Sequence, residues 1–128
     1  MKRVLITGGA GFIAHHLIGE ILKTTDWEVI TLDRLDYSGN LNRLHDLMIP
    51  FMPEEKRRVK IVHHDLKAAL NPLVCSEIGQ VDYILHLAAG SHVDRSIDYP
   101  MEFVLDNVVG TANILDFART QDNLEKFV

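Results

Sequence analysis

Three glycines set between a short apolar run and an amphipathic one are the first residues of this 128-residue chain whose spacing could do chemistry. Thr7-Gly8-Gly9-Ala10-Gly11-Phe12-Ile13-Ala14 follows Val4-Leu5-Ile6. It opens a segment in which Phe12, Ile13, Leu17, Ile18, Ile21 and Leu22 recur at helical spacing. A strand that turns through glycines into a helix offers an anion free backbone N–H groups and the positive end of the helix. It also lets a pyrophosphate approach where a Cβ would stand in the way. The chemistry this pattern suits is recognition of a dinucleotide's phosphates. Glycine turns also occur as plain loops, and the strand and helix legible on either side are the context that separates the two readings.

Asp33 belongs to the same chemistry. It closes a second apolar run, Trp27 to Leu32, where a carboxylate can accept hydrogen bonds from both ribose hydroxyls of an adenosine and repel a 2′-phosphate. That favours NAD over NADP, although Arg34 next to it weakens the discrimination, because an arginine can accommodate a phosphate. The competing reading is that Asp33 caps a turn. The seven histidines raise the question of metal. His15 and His16 are expected to point apart on a helix, and His63 and His64 to opposite faces of a strand, so no metal site is expected. His86 reads as a packed strand residue and His92 as a loop residue. Cys75, the only cysteine, excludes an intrachain disulfide and a cysteine-based metal site, and reads as packing. Trp27 is expected to shield the mouth of the second strand.

The elements that must position these groups alternate. Strands are expected over Val4–Ile6, Trp27–Leu32, Val59–His63 and Val81–Leu87, with Lys126-Phe127-Val128 opening a fifth. Helices are expected over Phe12–Lys23, over Leu41–Met48 after the turn Asp36-Tyr37-Ser38-Gly39-Asn40, over 67–79, and from Pro100 to Arg119, with Pro50 and Pro53 as breakers. The last helix is apolar on more than one face (Val104, Leu105, Val108, Val109, Ile114, Leu115, Phe117) and needs cover on two sides. The fold class that follows is α/β, a single Rossmann-type doubly wound parallel sheet over residues 1–128, cut in or after its fifth strand.

Bulk properties narrow the function classes. A formal charge of −5 with no long cationic run argues against a nucleic-acid binder, and the Lys56-Arg57-Arg58 cluster reads as a solvated loop face. No stretch approaches the roughly 18 apolar residues of a membrane span, and no signal peptide is legible. A cytoplasmic protein without membrane contact is expected.

The turn Gly8-x-x-Gly11-x-x-Ala14 resembles that of the extended short-chain dehydrogenase/reductase family, the NAD-dependent epimerases and dehydratases, with Ala14 where that family usually has glycine. The segment His86-Leu87-Ala88-Ala89-Gly90-Ser91-His92-Val93-Asp94-Arg95-Ser96-Ile97 closely resembles the one that marks its dTDP-glucose 4,6-dehydratases. Leu32-Asp33-Arg34-Leu35-Asp36-Tyr37-Ser38-Gly39-Asn40-Leu41 resembles their turn after the second strand. Pro100, Phe103, Asn107, Gly110 and Thr111 fit their following helix. These matches span nearly the whole chain and are weakest over residues 42–60.

The resemblance implies NAD as cofactor, a nucleotide-sugar substrate, hydride transfer from sugar C4 followed by loss of water, and a homodimer joined through the Pro100 helix. Beyond Gly8 and Gly11 in the turn, it implies that Phe12 and Ile13 lie over the pyrophosphate. Asp33 would hold the ribose, with Arg34, Leu35 and Asp36 beside it. Asp65 and Leu66 would contact the adenine, Leu87, Ala88 and Ala89 would line the cofactor, and Ser91 would face the sugar nucleotide. Two positions depart from the family: Gly90 replaces a glutamate, which is expected to loosen the substrate loop. Asp106 replaces a threonine, which is expected to put a charge near the nicotinamide side. The family's base, a tyrosine with lysine four residues on, comes after the fifth strand. Tyr37, Tyr83 and Tyr99 lack that lysine, so no catalytic residue is expected within the chain. The favoured expectation is part of a longer enzyme; a free-standing nucleotide-binding module is the other.

Overall fold

Val4, Leu5 and Ile6 are all fully buried, which requires cover on both faces of the strand that carries them. The computed structural model, which describes residues 1–36 and 38–128, supplies that cover from two layers of helices. Tyr37, within the expected turn 36–40, lies outside the described residues. Five parallel strands, β1 (Arg3–Thr7), β2 (Glu28–Asp33), β3 (Val59–His63), β4 (Tyr83–His86) and β5 (Lys126–Phe127), form one sheet in the order β3-β2-β1-β4-β5. The helices are α1 (Phe12–Thr24), α2 (Leu41–Met48), α3 (Pro53–Lys56), α4 (Pro72–Ile78), α5 (Val93–Asp98), α6 (Pro100–Val104) and α7 (Gly110–Ala118), with a π-helical segment, Leu105–Val109, between the last two.

Successive residues of β1 serve opposite cores. Leu5 joins Ile30, Leu32, Val62 and Ile84 under α4 and α7, through Val74, Ile78, Ile114 and Phe117. Val4 and Ile6 join Val29 under α1 and α2, through Ala14, Ile18, Leu22 and Leu44. The chain runs outward from β1 to β3, then returns past β1 to β4. The crevice between β1 and β4, at the carboxyl ends of the strands, is therefore the topological switch point.

Several local expectations are corrected. The helix expected over 67–79 starts only at Pro72, where Asn71 accepts the Val74 N–H at 3.0 Å and proline fits the first turn because it has no N–H to satisfy. Pro53 starts α3 instead of only ending a helix, and Glu55 reaches back to accept the Met52 N–H at 2.8 Å. Residues 93–98, to which no element was assigned, form α5. Arg58 is not a solvated loop cation: its guanidinium donates to the carbonyls of Leu22 and Thr25, both at 2.8 Å, and of Trp27 at 3.2 Å, closing the end of α1. Trp27 lies flat on Tyr83, with centroids 4.7 Å apart and planes 8° apart. The rings of His15 and His16 do not point apart but stand 3.9 Å from each other, with His15 Nδ1 2.9 Å from the Gly11 carbonyl oxygen. No cluster of three metal-ligating side chains occurs among the described residues.

Candidate functional site

The glycine turn is built on contacts that admit no side chain. Gly8 has φ +73°, donates its N–H to Leu32 O at 2.7 Å, and faces Ala88 so closely that a Cβ would stand 3.0 Å from that residue's N and Cα. Gly9, the middle glycine of the turn, lies against β2, where a Cβ would fall 1.6 Å from Thr31 Oγ1. Gly11 closes the turn by donating to Gly8 O at 2.8 Å and serves as N-cap of α1 without any side-chain cap on the first-turn amides. An uncapped helix start beside a glycine cradle is a ready anion site.

Asp33 ends β2 beside that turn and is buried. Its Oδ2 accepts the Ala10 N–H at 3.0 Å and its Oδ1 the Leu35 N–H at 2.7 Å. The carboxylate therefore caps the turn that follows and ties the glycine loop to β2, while each oxygen keeps acceptor capacity for a further donor. The two readings of Asp33 thus describe compatible parts of one geometry. Leu35 is held at φ 57°, a backbone region disfavoured by about 1–3 kcal/mol for a residue with a Cβ, with its N–H given to Asp33.

Gly8, Gly11, Asp33, Arg34, Asp36, Asp65, Leu66, Leu87, Ala88 and Ala89 line one cleft at the carboxyl ends of β1 to β4. Phe12, Ile13, Leu35 and Ser91 are not part of its lining. Phe12 and Ile13 project from the first turn of α1, each 71% exposed, Leu35 packs on the α1 side of the sheet, and Ser91 is exposed. Ser38, Gly39, His64 and Lys67, with Leu32 and Asp106, complete the wall. Sequence reasoning gave the first four no role. Ser38 and Gly39 were legible only as turn residues and His64 and Lys67 only as neighbours of Asp65, since a loop's direction is set by packing.

Asp106, expected to put a charge near the nicotinamide side, is the partner of Arg34. Arg34 Nη1 and Nη2 donate to Asp106 Oδ1 and Oδ2 at 2.6 and 2.9 Å, and Nε donates to Asp36 Oδ2 at 2.6 Å. The hydrogen bonds to Asp106 do most to raise the Arg34 pKa, against the cost of burial. Burial pushes the Asp36 carboxyl up, but the Ser38 hydroxyl and N–H together with Arg34 outweigh it and hold the pKa below its usual value. Gly90 was expected to loosen its loop, yet the loop is pinned: Gly90 N–H donates to Asn107 Oδ1 at 2.7 Å and Asn107 Nδ2 donates to Gly90 O at 3.0 Å. A Cβ at Gly90 would lie 2.8 Å from the Phe103 ring, so the smaller residue is matched to what packs on it.

Sheet order, glycine turn and switch-point cleft together define a Rossmann-type domain of the epimerase/dehydratase class. The chain belongs to the GDP-mannose 4,6 dehydratase family, whose model matches residues 5–128. It is 41% identical over 117 residues to the dTDP-glucose 4,6-dehydratase of Salmonella typhimurium, covering 91% of this chain and 31% of that one. A dTDP-glucose 4,6-dehydratase from Streptomyces venezuelae crystallised with NAD matches with TM-score 0.77 and 39% identity, over 98% of this chain and 38% of that one. The UDP-Glc/GlcNAc 4-epimerase of Campylobacter jejuni matches with TM-score 0.82 and 30% identity, over 99% and 36%. The chain thus spans about a third of the length of these relatives.

Proposed function

We propose that this chain is the NAD-binding portion of a sugar-nucleotide 4,6-dehydratase. The observation that carries the reading is the side-chain-free turn joined to Asp33 at the mouth of the switch-point cleft. The cradle fits a pyrophosphate, because the first-turn amides of α1 carry no side-chain cap and open beside the glycine turn. Bound NAD would supply the acceptor for a hydride from the sugar. This chain's own residues bind and orient: Gly8 and Gly11 leave room for phosphate, and the first-turn amides of α1, with Phe12 and Ile13, lie over it. Asp33 accepts from the ribose hydroxyls, with Arg34, Leu35 and Asp36 shaping the turn. Asp65 and Leu66 flank the adenine, Leu87, Ala88 and Ala89 run along the cofactor, and Ser91 faces the sugar nucleotide.

The likeness to dehydratases that act on dTDP-glucose supports a nucleotide-sugar substrate. A homodimer is supported by apolar side chains left exposed along α6 to α7, among them Met101, Val104, Val108 and Leu115. A cytoplasmic location belongs to the same proposal; no helix among the described residues is long and apolar enough to cross a membrane. The test is product analysis with the full-length protein that carries this domain, given NAD and a nucleoside diphosphate glucose. A 4-keto-6-deoxy sugar, with one water lost, is the expected product. A 4-epimer of unchanged mass would favour the second reading, an epimerase, which the match to the Campylobacter jejuni enzyme supports. A dinucleotide-binding protein that turns over neither way would support a non-catalytic module.

A further inference from the structure

An arginine directly after the acidic residue of β2 is a group able to take an adenosine 2′-phosphate. Left free, Arg34 would work against the preference for NAD that Asp33 confers. It is not free. Each of its three guanidinium nitrogens donates to a carboxylate, two of them in a fork onto Asp106 and one onto Asp36. The fork is the well-sheltered part, with the Asp106 side chain only 13% exposed, and the Asp65 carboxylate stands 4.0 Å from Nη1 on a further side.

From this arrangement, and resting on the proposed NAD site, we infer that Asp106 is a specificity-determining positioning residue: it holds Arg34 away from a 2′-phosphate and so makes the cleft select NAD over NADP. Two physical effects act together. To reach a phosphate, the guanidinium must leave a bidentate charge-assisted pair, among the stronger hydrogen-bonded contacts a protein makes. The vacated Asp106 would then stay in the cleft wall facing a second anion. Asp33, Asp36, Asp65 and Asp106 outnumber Arg34 and Lys67 among the described residues of the lining, so the cleft already disfavours added negative charge. Asp106 is also rigidly placed. It sits in the π-helical segment Leu105–Val109, a local widening frequent at functional sites, and the neighbouring Asn107 is tied at two points to Gly90.

The test is calorimetric titration of the 128-residue chain with NAD⁺ and NADP⁺, in the wild type, Asp106→Ala, Arg34→Ala and the double variant, with circular dichroism confirming the fold. Asp106→Ala should shift the NADP⁺ to NAD⁺ affinity ratio toward NADP⁺ by about tenfold or more, the scale of one hydrogen bond to a charged group. Asp106→Asn, which keeps the shape and drops the charge, should shift it less and in the same direction. In the double variant the gain should vanish, because it works through Arg34. NAD⁺ binding with an unchanged ratio in Asp106→Ala would overturn the inference and leave the proposed function standing. A gain that persists without Arg34 would overturn the positioning role. A folded wild type that binds neither dinucleotide would overturn the proposed function and this inference with it.

Discussion

Two threonine hydroxyls decide the state of His86. Thr111 Oγ1 spends its proton on Asn107 O at 2.6 Å, so at 3.0 Å from His86 Nε2 it can only accept. Thr7 Oγ1 accepts the Ala88 N–H at 3.1 Å and donates to His86 Nδ1 at 2.7 Å. In the neutral ring the proton therefore lies on Nε2, and a second proton on Nδ1 would turn the Thr7 hydroxyl into an acceptor and cost it the partner for its own proton. Burial also lowers the His86 pKa below its ordinary 6.5. A histidine whose folded pKa is depressed takes up its proton first in the unfolded chain. The stability it contributes is complete above about 6.5 and is lost as pH falls through the window below. The midpoint of thermal unfolding should accordingly fall between about pH 7.5 and 5.5, and His86→Gln should flatten that slope. An equally steep fall in the variant would mean that other groups carry the effect. Legibility at this scale was uneven. Asp33 stands out because an acid at the end of a strand has few other uses, whereas its bonds to Ala10 and Leu35 depend on how two loops meet. The fork between Arg34 and Asp106 joins residues 72 positions apart, a pairing that no local pattern announces.

At the scale of elements, strands were easier to read than helices. The buried strands are continuous apolar runs, and their ends shift from expectation by only a residue or two: β2 runs Glu28–Asp33 where Trp27–Leu32 was expected. Short helices such as α3 and α5 depend on caps and contacts more than on periodicity, and periodicity was the signal used. The long helix from Pro100 was legible in extent but not in its interior, where the π-helical segment offsets the faces on either side of it. Those faces explain why the sequence looked apolar on more than one side. Ile114 and Phe117 are buried against the sheet, while Val108 is 62% exposed and Leu115 46%. If this outer stripe joins two copies, Val108→Glu should convert a dimer to a monomer in sedimentation analysis without changing the helical content. A wild type that is monomeric at every concentration tested would remove the homodimer from the account.

The whole molecule is arranged around one crossing of the chain. Because β1 is followed outward by β2 and β3 and only then by β4 on its other side, the loops after these strands diverge and leave the crevice in which the candidate site lies. The sequence carried this plan clearly, through the alternation of strands and helices and the glycine turn after the first strand. Its direct mark in the structure is that the turn after β1 meets both neighbours, Gly8 lying against Ala88 beyond β4 and Ala10 donating its N–H to Asp33 at the end of β2. The electrostatic character of the cleft was harder to read, since it comes from side chains gathered from the ends of β2 and β3 and from a distant helix. The measurement that tests the central claim most directly is a calorimetric titration of the wild-type chain with NAD⁺, repeated with NADP⁺. Saturable binding that prefers NAD⁺ is the expected result. A chain that is folded by circular dichroism and takes up neither dinucleotide would contradict the account.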